Sequence, residues 1–257
     1  NNISDKICEL DITNFNLKDC RYTTLKRSSL IKFLKSDLGD LIKTSHNIIQ
    51  IDQYDDQIKL SFENDETKEC DYLIISDGVF SKSKGIISNN KTKPIYNNTL
   101  AIRGILNKSY KNIDNKNVSL FLSSNFHKVI YPTNPHGDLN FIAIMKYQLS
   151  SAEQKDYLLF NDNSFIKKVL KKIPKDNQQF LDNLQDLKIF PVFVSNNFLK
   201  FKNSHIHLIG DAFFALPPSF AQGASQSIEG AYELFKSIEN NTESSYFKNR
   251  VNKTKMV

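Results

Sequence analysis

The sequence predicts a mixed α/β protein, and three observations carry that prediction. Twice a short apolar run with β-branched residues stops at an acid: Tyr72-Leu73-Ile74-Ile75 enters Ser76-Asp77-Gly78, and Ile206 to Ile209 enters Gly210-Asp211. A buried strand that ends in a turn containing Gly and Asp is a junction typical of α/β sheets. After the second junction, Ile228, Ala231, Leu234, Phe235 and Ile238 fall at three- and four-residue spacing, which is one face of a helix. Between the junctions, short apolar runs separated by polar turns predict a largely antiparallel sheet.

Taken in order, residues 23–42 read as an amphipathic helix with Leu30, Ile31, Leu34, Leu38, Leu41 and Ile42 on one face and Thr23 or Thr24 as cap. Residues 47–53 and 57–63 read as two antiparallel strands around a Tyr54-Asp55-Asp56 turn, and strand 72–75 follows. Residues 99–106, 118–122, 128–131 and 139–147 read as successive strands, with turn signals at Asn115, at 123–125 and at 134–137. Residues 151–160 and 165–173 look helical, a short helix is expected near 179–184, and 187–194 returns as a strand. The strand at 206–209, a loop broken by Pro217-Pro218 and the long helix come next, then a connection at 240–245 and a basic helix from Tyr246 onward.

At 257 residues, with 40% hydrophobic and 24% charged content, the chain has enough apolar material for a sizeable core. No apolar stretch approaches the roughly 20 residues that span a bilayer, and the N-terminus has no basic-then-apolar signal pattern, so a cytoplasmic protein without a membrane span is expected. The net charge of +6 comes from lysines dispersed along the length and interleaved with acids, which argues against a nucleic-acid partner. Cys8, Cys20 and Cys70 are widely spaced and odd in number, so neither a disulfide framework nor a metal site is indicated.

The order strand, acid, proline loop, small residues, helix has chemical sense. Free amides and the positive end of a helix dipole point at whatever occupies the loop, so a ligand that becomes anionic there is stabilised. Gly210, Asp211, Ala212, Pro218, Gln222, Gly223 and Ala231 stand where the pattern G-D-A-A-H-x-x-x-P-x-x-G-Q-G-x-N, followed by a helix with D-A, has them. Asp71, Asp77, Gly78 and Ser81 match D-x-x-x-x-x-D-G-x-x-S-x-x-R, with Lys84 where arginine is usual, and Arg27 to Leu30 match R-x-x-L. In these motifs the chain resembles the FAD-dependent aromatic hydroxylases, single-component flavoprotein monooxygenases of the salicylate-hydroxylase or ubiquinone-biosynthesis type. Phe214, Ala221, Ser225 and Gly230 depart from the pattern, replacing histidine, glycine, asparagine and aspartate.

The resemblance implies a partial FAD-binding Rossmann-like domain, with its first part at 1–94 and its second at 195–257, and an inserted antiparallel substrate domain at 95–194. No G-x-G-x-x-G occurs among the eight glycines, so the βαβ unit that carries it in the family is expected to be missing upstream of Asn1, and a C-terminal truncation is suspected. The implied activity is hydroxylation of a small aromatic or quinone-precursor substrate, with FAD as cofactor and NAD(P)H and O2 as co-substrates. The implied FAD-binding residues are Arg27 on the phosphates, Asp77 in support, Gly210 and Asp211 at the ribityl chain, Pro218 at the ring edge, and the amides of Gly223, Ala224 and Ser225. Arg103-Gly104 and His127 with Tyr131-Pro132 match substrate-side elements, which makes His127 an acid/base candidate beside its plainer reading as a structural histidine. The alternatives are a non-catalytic flavoprotein remnant that binds a partner, and another oxidoreductase of the same build, a halogenase or a prenyl reductase.

Overall fold

The computed structural model describes residues 7–19, 21–54, 57–89, 92–106, 113, 116–133, 137–174 and 177–257. The turns expected at Asp55-Asp56, at Asn115 and at 134–136 lie outside the described residues, as does Cys20. In chain order the elements are α1 (Arg27–Lys35), β1 (Ile48–Gln53), β2 (Ile58–Phe62), β3 (Thr67–Cys70), β4 (Leu73–Ile75), α2 (Lys82–Ser88) and β5 (Ile95–Leu106). There follow β6 (Ser119–Phe121), β7 (Phe126–Pro132), β8 (Leu139–Lys146), α3 (Asn163–Leu170), α4 (Gln178–Leu181) and β9 (Leu184–Val194). The chain then forms β10 (Ile206–Leu208), α5 (Gly210–Phe214), α6 (Gly223–Glu239) and α7 (Glu243–Lys255). It divides into two compact units, Asn1–Gly39 with Asn98–Pro191, and Asp40–Asn97 with Val192–Val257.

The first unit is built on the antiparallel sheet that the alternating runs predict, in the order β6-β7-β8-β5-β9. Its registers place Gly104 opposite Phe141 and Phe141 opposite Ile130, so Leu100, Ile102, Leu106, Ile130, Leu139 and Phe141 share one face, and all are buried. On the other face Arg103 pairs across from Ile142, in the same row as Val129, and His127, Tyr131 and Asn140 point the same way. Gly104 is needed because a Cβ there would meet Leu184 at 3.0 Å and the Gln185 carbonyl at 3.1 Å. Asp162 caps α3 by accepting from the Phe165 amide at 2.8 Å, and the helix buries Phe165 and Val169.

Several expected elements differ. The helix expected over 23–42 is confined to α1, which buries no residue, and a 3-10 turn follows at Gly39–Leu41. Thr24 does not cap it; its hydroxyl donates to the Pro132 carbonyl at 2.6 Å, and Gly39 turns the chain with φ of +41°. Residues 151–160 give two 3-10 turns, Glu153–Lys155 and Leu159–Asn161, instead of a helix. Between them Asp156 accepts from the amides of Leu158 and Leu159 at 3.0 and 3.2 Å, a local turn that competes with helical bonding. Strand β3, unforeseen, pairs with β2, and α7 starts at Glu243, within the expected connection.

The second unit holds the antiparallel sheet β1-β2-β3 and the parallel pair β10-β4. Ile51, Ile58, Leu60, Phe62, Leu73, Ile75, Ile206, Leu208, Ala212 and Phe213 form one core, so both strand-to-acid junctions are rooted in the same apolar cluster. On α6 the expected apolar face is only partly covered: Leu234 is 1% exposed, whereas Ile228 and Phe235 are 51% and 58% exposed. No described helix is long and apolar enough to cross a membrane.

Strand alternation also puts Lys128 on the buried face, between Phe126 and Ile130. Its ammonium lies 4.4 Å from the Phe121 ring centre and 3.6 Å from that of Phe180, and it donates to Asn177 Oδ1. Burial pushes its pKa down from 10.5 to about 8. Below pH 8 folded and unfolded chains are both protonated and the burial cost is complete. Between pH 8 and 10.5 only the unfolded chain keeps the proton, so stability rises with pH across this window. Lys128→Met is therefore expected to be the more stable protein at pH 7 by at most about 3 kcal/mol, with the advantage shrinking toward pH 10.5; denaturant unfolding at the two pH values measures it.

Candidate functional site

The parallel pairing of β4 with β10 places Ile206 opposite Leu73, His207 opposite Ile74 and Leu208 opposite Ile75. The amide of Ile209 donates to the Ile75 carbonyl at 3.0 Å, so the two strands end together. Asp77 follows one strand by two residues and Asp211 follows the other by three, and both acids leave from the same end of the sheet.

Each acid sits in a different local frame. Gly78 has φ of +85°, the left-handed region that favours glycine, and its carbonyl accepts from the Ser81 amide at 3.1 Å. Ser81 caps α2 by accepting from the Lys84 amide at 2.9 Å, and Asp77 Oδ2 accepts from the Ser83 amide at 3.1 Å. Asp77 is thus engaged in starting a helix. Asp211 lies in the first turn of α5, whose Ala212 and Phe213 anchor it in the core. Its carboxylate is open to solvent on one side, and the protein packed around the rest raises its pKa above the usual carboxylate value. Among the described residues no donor reaches that carboxylate, which leaves it an acceptor facing the loop.

Lys84 ties the two frames together. Its buried ammonium donates to the Ala212 carbonyl at 3.1 Å. Burial lowers its pKa, and the nearby Asp77 charge offsets part of that effect. One carbonyl oxygen asks for a single donor, so the lysine in place of the motif's arginine meets this demand without a planar fork. The sequence marked Lys84 only as a substitution; its bridging role was invisible there because Ala212 is 128 residues away.

The loop beyond Asp211 is shaped by its departures. Gly210 has φ of +58°, and a Cβ on it would meet Ser227 Oγ of α6 at 2.9 Å, so glycine is favoured on two counts. Phe214 stacks on Phe198 with ring centres 4.3 Å apart. The Ala215 amide donates to Ser195 Oγ at 3.0 Å. After the turn Pro218–Phe220, Ala221 adopts the left-handed conformation, φ 54° and ψ 24°, which costs an alanine on the order of 1 kcal/mol relative to glycine. Gln222 gives α6 no side-chain cap, and a Cβ on Gly223 would meet nothing within 4 Å. The first amides of α6 therefore open onto free space, with Gly210, Asp211, Gly223, Gln226, Ser227 and Arg250 lining a narrow crevice beside them.

The FAD binding domain family matches residues 23–243. This chain belongs to that family. A flavin-dependent monooxygenase from an unknown prokaryotic organism is 22% identical over 219 residues, covering 81% of this chain and 54% of the relative. HpxO of Klebsiella pneumoniae complexed with FAD and uric acid superposes with a TM-score of 0.71 at 16% identity, over 88% of this chain and 58% of that one. A salicylate hydroxylase substrate complex gives 0.64 at 19% identity, over 81% and 55%. The chain thus spans little more than half the length of these proteins. The resemblance to FAD-dependent aromatic hydroxylases, drawn from two strand-to-acid motifs, is borne out, and so is the mixed α/β fold with antiparallel sheets.

The residues of the second unit fit FAD: Asp211, which no donor reaches among the described residues, and the uncapped start of α6 line one crevice, and β4 ends beside the strand that leads into it. Pro218, Ala224 and Ser225 lie in the same loop and first helical turn, with Ser225 Oγ donating to the Gln222 carbonyl at 3.0 Å. Arg27 and His127 belong to the other unit. There Arg27 opens α1 as an exposed residue, and His127 is half-buried on β7 with its pKa lowered by burial. The sequence reading missed Gln226, Ser227, Arg250 and Tyr246, which bound or brace the site from α6 and α7; only the Gly230 departure hinted at Arg250.

Lys84→Met is expected to leave the Ala212 carbonyl buried and unpaired, a loss of about 1 to 3 kcal/mol. Lys84→Arg should retain most of the stability. Urea denaturation of the three proteins checks both expectations.

Proposed function

We propose that this chain serves an FAD-dependent monooxygenase that hydroxylates a small aromatic or quinone-precursor substrate with NAD(P)H and O2. The observation that supports it most is the meeting of Asp77, Asp211 and the uncapped start of α6 at the paired ends of β4 and β10. In this reading Asp211 accepts hydrogen bonds from the ribityl hydroxyls. The amides of Gly223, Ala224 and Ser225 face the part of the ring that gains negative charge, Gly210 admits the close approach, and Pro218 lines the ring edge. Asp77, which accepts from the Ser83 amide at the start of α2, would support the cofactor site without contacting the ring. Arg27 is assigned to the phosphates, for which a permanently charged planar fork is suited.

The cofactor, when bound, supplies the redox and oxygen chemistry, and the protein binds, orients and excludes water. No side chain is asked to be a nucleophile. His127, held toward its neutral form by burial, is the candidate to accept a substrate proton. HpxO, another protein with this fold, is complexed with uric acid, a planar ring compound, which favours a ligand of that class here. A non-catalytic role is the second reading, favoured by Phe214, whose ring stacks on Phe198 where the motif has histidine.

Titration of FAD into the protein, followed by visible absorbance and fluorescence quenching, decides between the two readings. Saturable micromolar binding is expected, and Asp211→Ala should weaken it by roughly one to two powers of ten, the worth of a charge-assisted hydrogen bond. No binding at hundreds of micromolar FAD would overturn the flavin reading.

Asp211 should also trade stability for function. Its raised pKa means that the ionised carboxylate costs stability in the free protein above the folded pKa, and the cost vanishes as pH falls below the usual 3.8. Asp211→Asn is expected to raise Tm at neutral pH while weakening FAD, with the Tm difference closing near pH 3. An unchanged or lower Tm for the variant at neutral pH would contradict this.

A further inference from the structure

Helix α7 touches both halves of the site through two side chains one turn apart on the same face, Tyr246 and Arg250. The Tyr246 hydroxyl is buried and donates at 3.1 Å to the carbonyl of Leu208, the last residue of β10 before the Gly210-Asp211 turn. Arg250 is buried against α6. Its Nη2 donates to the Gln226 backbone carbonyl at 2.7 Å and to Gln226 Oε1 at 2.6 Å, and its Nη1 donates to Glu229 at 3.0 Å and Glu233 at 3.2 Å. Gln226 in turn donates from Nε2 to Gln222 Oε1 at 3.3 Å and from its amide to the Gln222 carbonyl at 2.9 Å. A continuous path therefore runs from Arg250 to the residue that precedes the uncapped start of α6.

Gly230 is what lets Arg250 reach. A Cβ at this position would lie 3.2 Å from Arg250 Nε and 3.5 Å from Cζ, so the guanidinium lies in the space a side chain would fill. The position where the motif carries aspartate is here a vacancy, and the two glutamates one residue before and three after it supply the countercharge.

We propose that Arg250, admitted by Gly230 and acting together with Tyr246, is a positioning residue that fixes the start of α6 against the end of β10, and so sets the spacing between the α6 amides and Asp211. This rests on the flavin reading of the site for its functional meaning. Its structural content stands apart from that reading, because the brace is made of the protein's own hydrogen bonds.

The test uses the full chain with Arg250→Met, Arg250→Lys, Gly230→Ala and Tyr246→Phe, and Lys253→Met as control. Lys253 pairs with Glu229 and Glu233 from the exposed side and does not reach Gln226. Two measurements are made on each protein: amide hydrogen exchange over residues 222–228 without cofactor, and FAD affinity together with the visible band shape of the bound flavin. Arg250→Met is expected to speed exchange in that segment at least tenfold, to weaken FAD at least tenfold and to alter the band shape. Arg250→Lys should restore part of each, Gly230→Ala and Tyr246→Phe should shift them several-fold, and Lys253→Met should stay within twofold. If Arg250→Met does not fold, Gly230→Ala and Arg250→Lys decide.

Exchange, affinity and band shape within twofold of the wild type in Gly230→Ala and Arg250→Lys, or a Lys253→Met effect as large as theirs, would overturn the proposal. Absence of FAD binding by the wild type would instead defeat the flavin reading, and the exchange data would still decide whether Arg250 positions α6.

Discussion

Everything at the candidate site depends on a short parallel pairing, three residues of β4 against three of β10. A parallel pair cannot be closed by a tight turn, so the chain must leave the strand end and come back by a crossover. Here the excursion is unusually long and contains the whole five-stranded antiparallel sheet. The return sets the two strand ends flush, and that alone makes neighbours of Asp77 and Asp211, which no local propensity could do. Ile75 and Leu208 share one core with Ala212 and Phe213, so slipping the register by a residue would turn strand side chains out of it.

Three buried cations show how differently charge can be housed. Arg250 lies between two carboxylates and two amide oxygens of α6, so its charge is matched at close range and the helix is held with it. Lys128 has two phenyl faces and one amide oxygen, which stabilise a cation less than a carboxylate does, and its pKa falls accordingly. Lys84 is intermediate, with a carbonyl in contact and the Asp77 charge nearby. The one permanent charge of the three is used where a helix must be fixed, and the two titratable amines where a strand or turn is packed.

Four of the departures from the flavoprotein motif have a clear physical accommodation. Phe214 finds an aromatic partner in Phe198, Ala221 takes the left-handed backbone at a modest cost, Ser225 bonds back to Gln222, and Gly230 yields its space to Arg250. These substitutions change the side-chain chemistry of the loop. Its acceptor, Asp211, and its open amides are unaltered.

The mixed α/β class, the antiparallel run and the two strand-to-acid junctions were legible in the sequence, because alternating apolar residues and Gly-Asp turns act over a few residues and leave a local record. The family was legible there too, since the spacing of Gly210, Asp211, Pro218, Gln222 and Gly223 is written in order along the chain. Where local signals competed the sequence misled: Thr24 bonds Pro132 instead of capping α1, and Asp156 makes a turn where apolar spacing suggested helix. That Lys84 meets Ala212, that Tyr246 reaches Leu208 and that Arg250 lies across Gly230 emerged from the folded chain alone. These contacts join residues 20 to 128 positions apart. Their partners are chosen by the packing of helices on strands, which depends on the register of β4 and β10 and leaves no periodic trace in the residues themselves.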